Sequence, residues 1–303
     1  MWLGPTSIVL LVATYAIFVW YRKRLLARAI KDCRSVGSEA VRRGFLSLAQ
    51  FLAHIVGVRI ASIGGEGLDA DKSRRYMYTW HPHGFISFVP SYLMGSMATS
   101  GEPHGREWYG TCAPILFNIP ILGEHFMMAN ARPVDKRSLE CILSHKNGRT
   151  IAVQPGGIKE QAATLHDQEQ AFFPKRRGFI RLAIKHQTPL MPLYIFGENQ
   201  LYRRVRGLEW LTNIIYRATG LTLPIFTGKF GLPLCISLPF ATKVHIRYGA
   251  AVEVGPQADE PSDERVNEVF ERYVAELQRL FAAHSSTCLP QNVAANGLKI
   301  VRL

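Results

Sequence analysis

The strongest constraint on the fold comes from the amino terminus, where residues 1–21 contain no charged side chain. At about 1.5 Å per residue, a helix of this length comes close to the ~30 Å thickness of a bilayer's hydrocarbon core. Trp2 and Trp20 suit the two interfaces, and Arg-Lys-Arg follows directly at residues 22–24. The segment predicts an uncleaved membrane anchor whose basic side faces the cytoplasm. A cleaved signal peptide is the alternative, but its positive charge would precede the apolar run.

A basic strip and a second apolar stretch come next. Residues 22–43 hold eight Lys or Arg against two acids, which suits anionic lipid headgroups, although a solvated helix face would show the same pattern. Residues 44–58 are uncharged, interrupted by His54 and short for a span, so we expect them to dip into one leaflet or to pack on the following domain. If they crossed the bilayer, that domain would lie on its other side.

Composition limits the functional classes. Of the 303 residues 48% are hydrophobic, which excludes a wholly disordered chain. The formal charge of +13 makes nucleic acid, anionic lipid and phosphorylated small molecules the candidate partners. The five cysteines lie far apart without a Cys-x-x-Cys pair, which indicates a reducing compartment and no zinc ribbon.

The remainder of the chain alternates strand-like and helix-like segments. Buried strands are predicted at residues 76–80, 150–154, 190–196 and 244–248. Such alternation with helices is typical of an α/β fold whose mixed, largely parallel sheet is covered by helices.

The predicted helices begin near Ser138, at Arg177 or Gly178, and after Ser262, which we expect to be an N-cap. The third helix carries a long apolar stripe that we interpret as core. We divide the chain into residues 1–21, the anchor; residues 22–63, the basic strip with the second apolar segment; and residues 64–303, the main domain.

A histidine pair stands where the first predicted strand ends, as His81-Pro82-His83-Gly84. An imidazole can take a proton from an alcohol near neutral pH and return it within one cycle, so this turn is a candidate site of base catalysis. A polar turn without function is the main alternative. A zinc pair is a weaker one, because no matching Cys or His set follows at ligand spacing, and we expect no metal. The similar Glu-Pro-His-Gly at residues 102–105 lacks a leading strand and is interpreted as coincidence.

A second cluster, residues 154–160, follows the next predicted strand. Gly156 and Gly157 could present backbone N–H groups to an oxyanion, and Glu160 could orient a histidine of the first cluster. A glycine turn with a solvated glutamate is the alternative.

A third, basic cluster surrounds a predicted helix start; it comprises Lys175, Arg176, Arg177, Arg181 and Lys185. Helix N-terminal N–H groups and Arg side chains bind phosphate, so this cluster is a candidate site for a nucleotide-like head, with a solvated basic helix as the alternative. Glu198 and Asn199 end a strand that should lie beside the first one.

Taken in order, these motifs resemble the type-2 diacylglycerol acyltransferase family, which includes the monoacylglycerol and wax-alcohol enzymes. The resemblance covers roughly residues 60–285 and rests on HPHG, ARPVDKRSLECIL, PGGIKE, RRGFIRLAIKHQTPLMPLYIFGENQLY and GKFGLPLCISLPF in that order. It implies an integral endoplasmic-reticulum enzyme that uses acyl-CoA. The lipid droplet is an alternative location, and the basic residues 22–24 predict that the catalytic domain faces the cytoplasm.

The resemblance also implies site residues. It assigns His81 and His83 to the active-site motif and Glu160 to the role of histidine partner. It places Arg177, Gly178, Phe179 and the Phe-Gly-Glu of residues 196–198 in the substrate site. Together with residues of the polar turns, the expected substrate-binding residues are Pro82, Gly84, Gly156, Gly157, Arg177, Gly178, Phe179, Glu198 and Asn199. Ile86 and Phe88 stand where the distantly related phospholipid enzymes have the Asp of His-x4-Asp, which leaves the identity of the orienting acid open.

The function expected from the sequence is acyl transfer from acyl-CoA to a neutral lipid alcohol, with diacylglycerol favoured as acceptor. Monoacylglycerol or a wax alcohol are alternative acceptors, and an inactive membrane-anchored lipid-binding protein of the same fold is the alternative class. A serine hydrolase lacks support because no Gly-x-Ser-x-Gly is present. A nucleic-acid-binding protein would explain the charge but not the anchor. We expect no cofactor, since acyl-CoA is a substrate; the partners are acyl-CoA, the lipid alcohol and membrane lipids.

Overall fold

The computed structural model describes residues 5–31, 36, 38–71, 73–85, 108–119, 121–144, 149–219, 225–231, 238–240 and 242–303. Trp2, Ile86, Phe88 and the Glu-Pro-His-Gly of residues 102–105, all considered above, lie outside these ranges.

The described helices are distributed along the whole chain. They are α1 (Pro5–Lys31), α2 (Glu39–Ile55), α3 (Leu122–Met128), α4 (Lys136–Leu143), α5 (Gly157–Ala163), α6 (Gly178–Lys185), α7 (Glu209–Thr219), α8 (Asp263–Cys288) and α9 (Gln291–Ala294). Short 3-10 helices cover Glu66–Asp69, Pro114–Asn118 and Asn199–Leu201.

Seven of the described strands form one mixed sheet in the order β1-β10-β7-β2-β5-β3-β4. These strands are β1 (Val58–Gly64), β2 (Met77–His81), β3 (Trp108–Cys112), β4 (Ala131–Pro133), β5 (Thr150–Val153), β7 (Leu190–Phe196) and β10 (Thr242–Tyr248). All neighbours pair in parallel except β10 and β7. Outside this sheet, β6 (Glu169–Phe173) pairs in parallel with β11 (Leu298–Arg302), and β8 (Arg203–Arg204) pairs with β9 (Phe226–Thr227).

This arrangement confirms the predicted α/β fold with a largely parallel sheet. Side chains alternate between two apolar clusters on opposite faces of the sheet: Tyr194 and Phe196 of β7 join one cluster, whereas Leu193 and Ile195 join the other. A strand with both faces buried has a continuous apolar sequence, and for this reason the sequence predicts a strand at residues 190–196.

The third predicted helix is confirmed as α8. The Ser262 side chain accepts a hydrogen bond from the Arg265 backbone N–H, as an N-cap does. Its apolar stripe is buried as expected, at Val266, Val269, Phe270, Tyr273, Val274, Leu277, Leu280 and Phe281.

Helix α1 continues past the apolar segment to Lys31. Its Arg22 side chain is buried, forms an ion pair with Glu124, and donates 2.9 and 3.1 Å hydrogen bonds to the carbonyl oxygens of Phe117 and Ile119. Arg22 therefore fastens α1 to the main domain, a role that the charge pattern did not predict. Among the described residues, no helix combines the length and apolar character needed to cross a bilayer.

The segment after the basic strip joins the sheet directly. Strand β1 pairs in parallel with β10, so the expected boundary between residues 63 and 64 falls inside a strand of the sheet. No local pattern predicts β1, because its burial alternates and its partner lies about 180 residues later in the chain.

Candidate active site

Three polar turns meet at one end of the sheet because β5, β2 and β7 are adjacent and parallel. We call this end the carboxyl edge. It receives the His81–Gly84 turn from β2, the Gly156–Gly157 turn from β5 and the Glu198–Asn199 segment from β7. The carboxyl ends of parallel strands are where α/β folds bind their ligands.

His81 is the last residue of β2 and is completely buried. The strand's period of two places Met77 and His81 on the same face, and this face packs against α8. There the His81 Nε2 lies 3.1 Å from the Tyr273 hydroxyl oxygen, and the Phe173 ring packs edge-on against the imidazole at 5.2 Å between centroids. His81 therefore presents no accessible surface at this edge of the sheet.

Glu160 connects the histidine turn to the rest of the domain. Its carboxylate is almost fully buried in the first turn of α5. Oε1 accepts a 2.7 Å hydrogen bond from the His83 backbone N–H, and Oε2 accepts one of 3.0 Å from the Phe172 N–H of β6. Oε2 also lies 3.4 Å from the His81 Nδ1, close enough for electrostatic attraction once that nitrogen carries a proton. The structure thus brings the predicted acid to both histidines.

His83 is only half-buried, so it is the histidine that a substrate can approach. Its Nδ1 lies 3.3 Å from the Gly84 carbonyl oxygen, which can only accept a hydrogen bond. A neutral His83 therefore carries its proton on Nδ1 and keeps a lone pair on Nε2. Burial lowers the pKa of His83 below its ordinary value, although the Glu160 charge acts in the opposite direction. The ring is accordingly neutral at pH 7.

Two positions of the site have room only for glycine, because a glutamate side chain lies against the backbone at each. Gly84 has φ +67°, and a Cβ there would stand 2.6 Å from the Glu198 Cγ, so Glu198 lies directly over the histidine turn. At Gly156 a Cβ would stand 2.0 Å from the Glu160 Oε2. Gly157 has open space around it, and its N–H donates to the Gln154 carbonyl at 3.2 Å, so that donor is already occupied.

A buried carboxylate that sequence analysis missed supports the third turn. Glu169 of β6 accepts hydrogen bonds from the Tyr194 hydroxyl at 2.7 Å and from Asn199 Nδ2 and Gln200 Nε2, both at 2.9 Å. Asn199, predicted to bind substrate, is buried and committed to this network. The only sequence signal for Glu169 was an acid at the start of an apolar segment. Tyr273, whose hydroxyl lies beside the His81 ring, had no signal beyond its place in the apolar stripe of α8.

The predicted basic cluster lies beside α8. Arg177 is the N-cap of α6 at φ +44°; its side chain bonds Asn267 and stacks over the Phe270 ring at 4.0 Å. Arg181 pairs with Asp263, and Lys185 pairs with Glu140 at 2.7 Å.

A cavity of about 920 Å³ borders this cluster along α6 and includes Gly178. Its charged lining residues are Lys136, Arg181, Lys185, Glu140, Asp259, Glu260 and Asp263, a formal charge of −1. Phe179 instead joins the aromatic packing around the site, with its ring centroid 5.5 Å from that of Tyr273. Substrate contact by Arg177, Gly178 and Phe179 stays a prediction, but the charges along α6 are largely compensated within the protein.

Comparison with known proteins gives a consistent result. A profile of the family described as diacylglycerol acyltransferase matches residues 6–293. The chain is 26% identical to diacylglycerol O-acyltransferase 1 of Schizosaccharomyces pombe, over 75% of this chain and 68% of that protein. It is 28% identical to bovine 2-acylglycerol O-acyltransferase 1, over 74% and 70% of the two chains, and 30% identical to Dictyostelium discoideum diacylglycerol O-acyltransferase 2, over 72% and 68%. No solved structure shows a significant match.

Proposed function

The chain belongs to the diacylglycerol acyltransferase family, and we propose that it is an acyl-CoA-dependent O-acyltransferase that esterifies a neutral lipid alcohol, with diacylglycerol as acceptor and triacylglycerol as product. One observation carries the chemistry: a half-buried His83 whose backbone N–H is fixed by the buried Glu160 at the carboxyl edge.

The reaction follows from the protonation state of His83. Its Nε2 removes the proton from the acceptor hydroxyl while the oxygen attacks the thioester carbonyl carbon. The resulting tetrahedral intermediate collapses by breaking the carbon–sulfur bond, and the imidazolium returns its proton to the departing CoA thiolate. The ring is then neutral again, and no covalent enzyme intermediate is needed.

His81 acts through its neighbours. Because it is enclosed by Tyr273, Phe173 and Glu160, it is a positioning residue that fixes the start of the turn. Burial raises the pKa of Tyr273 well above its ordinary value, so this hydroxyl keeps its proton and can donate it to the His81 Nε2. His83 is then the residue that touches the substrate.

The test is turnover of labelled acyl-CoA with purified protein in detergent, offered diacylglycerol, monoacylglycerol and a long-chain alcohol in parallel. We expect the His83→Ala variant to lose about 100-fold or more in rate, as removal of a general base does. His284→Ala, on α8 outside the turn, is the control. Stoichiometric binding without product in the wild type would instead indicate a lipid-binding protein of the same fold.

The pH profile gives a second readout. Because the pKa of His83 lies below about 6.5, its proton-accepting form persists into mildly acidic solution. We expect kcat to be flat near neutral pH and to fall on the acid side below pH 6.5, as the ring becomes protonated.

Membrane association is part of the proposal. The part of α1 before Arg22 exposes large apolar side chains, each more than half accessible: Val9, Leu10, Leu11, Val12, Ile17 and Trp20. Helix α2 exposes another set, Val41, Leu48, Phe51 and Ile55. These surfaces support an amino-terminal attachment to the endoplasmic-reticulum membrane or lipid droplet, with Arg22 fixing the domain to its anchor.

Extraction experiments test the attachment. Deleting residues 1–21 should weaken membrane binding in carbonate without abolishing it, because α2 and its exposed side chains remain. Protease added to sealed microsomes should digest the main domain if it faces the cytoplasm. A truncated protein that becomes freely soluble in low salt would remove α2 from the proposal.

A further inference from the structure

A groove that no motif predicted lies behind the Glu198–Asn199 segment. Two adjoining cavities of about 470 and 650 Å³ share His166, Gln200, Arg203 and Pro290. We call them together the Arg203 groove. One end is bordered by Gly197, at the end of β7, and by the carboxyl end of α8.

The groove is strongly basic. Arg203, Arg204, Arg206 and Lys243 line it, against the single carboxylate of Asp167, which gives a formal charge of +3. The carboxyl end of α8 contributes a partial negative charge of only about half an electron. By contrast, the cavity beside α6 has a formal charge of −1 although its helix is the more conspicuously basic in the sequence.

Three of the groove's cations, Arg203, Arg206 and Lys243, have no ion pair within the described part of the chain. The Arg203 guanidinium lies over the Phe240 ring, 5.9 Å from its centroid. Burial lowers the pKa of His245, and the charges of Arg247 and Lys243 lower it further, as expected in a positive field. An anion bound here would relieve this repulsion.

The groove and the histidine turn contact the same short segment after β7. Gln200 lies on its wall and donates hydrogen bonds both to the His166 carbonyl, at 2.8 Å, and to Glu169. Two residues earlier, Glu198 lies against Gly84 of the histidine turn. Residues 197–200 therefore border the groove at Gly197 and Gln200 and the histidine turn at Glu198.

We propose that the Arg203 groove binds the phosphate groups of acyl-CoA and delivers its thioester to His83. This inference rests on the proposed function, and it adds to that function a binding site for the CoA head. Acyl-CoA carries several phosphate charges at one end and a long apolar tail at the other, so its head requires a cluster of uncompensated cations. Arg and Lys side chains bind phosphate strongly through charge-assisted hydrogen bonds. A concave site beside the reactive edge suits a single soluble head better than a flat membrane surface.

The test compares Michaelis constants in neutral detergent micelles with no anionic lipid. We expect Arg203→Ala with Lys243→Ala to raise the KM for acyl-CoA about tenfold or more and to change the KM for diacylglycerol less than twofold, because both side chains are exposed and removable without loss of core. Arg272→Ala with Lys299→Ala removes the same two charges from exposed positions elsewhere and should change neither constant. An unchanged KM for acyl-CoA in the groove variant overturns the inference.

Direct binding separates this inference from the proposed function. Calorimetry with CoA and with dephospho-CoA needs no turnover. Weaker binding of CoA to the groove variant than to the wild type supports the groove as the CoA site, even if the wild type makes no ester. Equal CoA binding by wild type and variant overturns the inference that the groove binds CoA, whether or not ester is formed. Flotation with neutral and phosphatidylserine vesicles tests the lipid alternative: a variant that loses only anionic-vesicle binding, with CoA binding intact, would make the groove a membrane contact.

Discussion

Two buried carboxylates, Glu160 and Glu169, stand at the same edge of the sheet but are bound in different ways. Glu160 accepts hydrogen bonds from the backbone N–H groups of His83 and Phe172. Glu169 accepts from the side chains of Tyr194, Asn199 and Gln200. Backbone donors cannot rotate away, so Glu160 is held by the fold itself and in turn fixes the histidine turn.

The difference teaches that burial alone does not identify a functional acid. Both carboxylates are nearly inaccessible, yet Glu160 alone contacts a histidine of the candidate site, at 3.4 Å from His81. Glu169 supports the segment after β7 through side chains that can move together with it. We therefore expect loss of Glu160 to affect catalysis and loss of Glu169 to affect mainly stability.

The largest contrast should come from alanine substitution. Glu160→Ala should lower kcat about 100-fold or more, because the histidine turn loses its fixed acceptor, and should leave two backbone N–H groups unpaired at about 1–3 kcal/mol each. Glu169→Ala should destabilise the protein by a similar amount while the folded fraction keeps kcat within about threefold, since no histidine of the site depends on it. Turnover per folded molecule, with folding measured by denaturant titration, checks both; equal losses of kcat would remove the distinction.

Isosteric substitution should give a smaller and cleaner contrast. Glutamine at position 160 keeps one acceptor oxygen but loses the charge that faces His81 and presents an NH2 group to one backbone N–H. We expect kcat to fall about tenfold in Glu160→Gln, which is less than the loss expected when a general base is removed. In Glu169→Gln we expect kcat to change less than twofold. Rates across pH 5.5–8.5 check this; a Glu160→Gln enzyme that matches wild type at every pH would deny Glu160 a role in catalysis.

A glycine pair tests the position of the Glu160 carboxylate without removing it. In Gly156→Ala the new Cβ would meet Oε2 at 2.0 Å, so the carboxylate must move, and we expect kcat to fall several-fold, on the order of 1 kcal/mol. Gly157→Ala meets nothing within 4 Å and should cost about 1 kcal/mol of stability through its φ of +49°, with little change in kcat. A larger loss of kcat in Gly157→Ala than in Gly156→Ala would contradict the role assigned to the Glu160 carboxylate.

The smallest expected effect is a pH dependence of stability. Burial raises the pKa of Glu169, so its contribution to stability is fully present below its unfolded pKa of about 4.3 and is lost as pH rises through the folded pKa. The wild type should therefore lose stability relative to Glu169→Gln as pH rises from about 4.

Unfolding of both proteins across this pH range measures the difference. Glu264→Gln is a control of opposite sign, because hydrogen bonds at the start of α8 lower the pKa of Glu264, and its contribution is lost as pH falls instead. Parallel pH profiles for wild type and Glu169→Gln would mean that Glu169 has the same pKa in the folded and unfolded states.

Much of the fold could be predicted because its signals are local. Strand β7 matches the predicted residues 190–196, and α8 begins after its predicted N-cap, since an apolar run and a capping serine act within one element. Strands β1 and β6 were missed. Each is defined by hydrogen bonds to a distant partner, β1 with β10 and β6 with β11, which no local pattern contains.

The sequence by itself determined which chemical groups are available: an imidazole pair after one strand, a glycine pair and Glu160 after another, and an excess of positive charge. Only the tertiary structure decided which histidine is accessible and which cations are compensated. Arg181 and Lys185 look free in the sequence, yet Asp263 and Glu140, 82 and 45 residues away, neutralise them, whereas Arg206 and Lys243 form no ion pair in the described part of the chain. The physical reason is that accessibility and charge compensation depend on neighbours in space, and a fold brings those neighbours from anywhere in the chain.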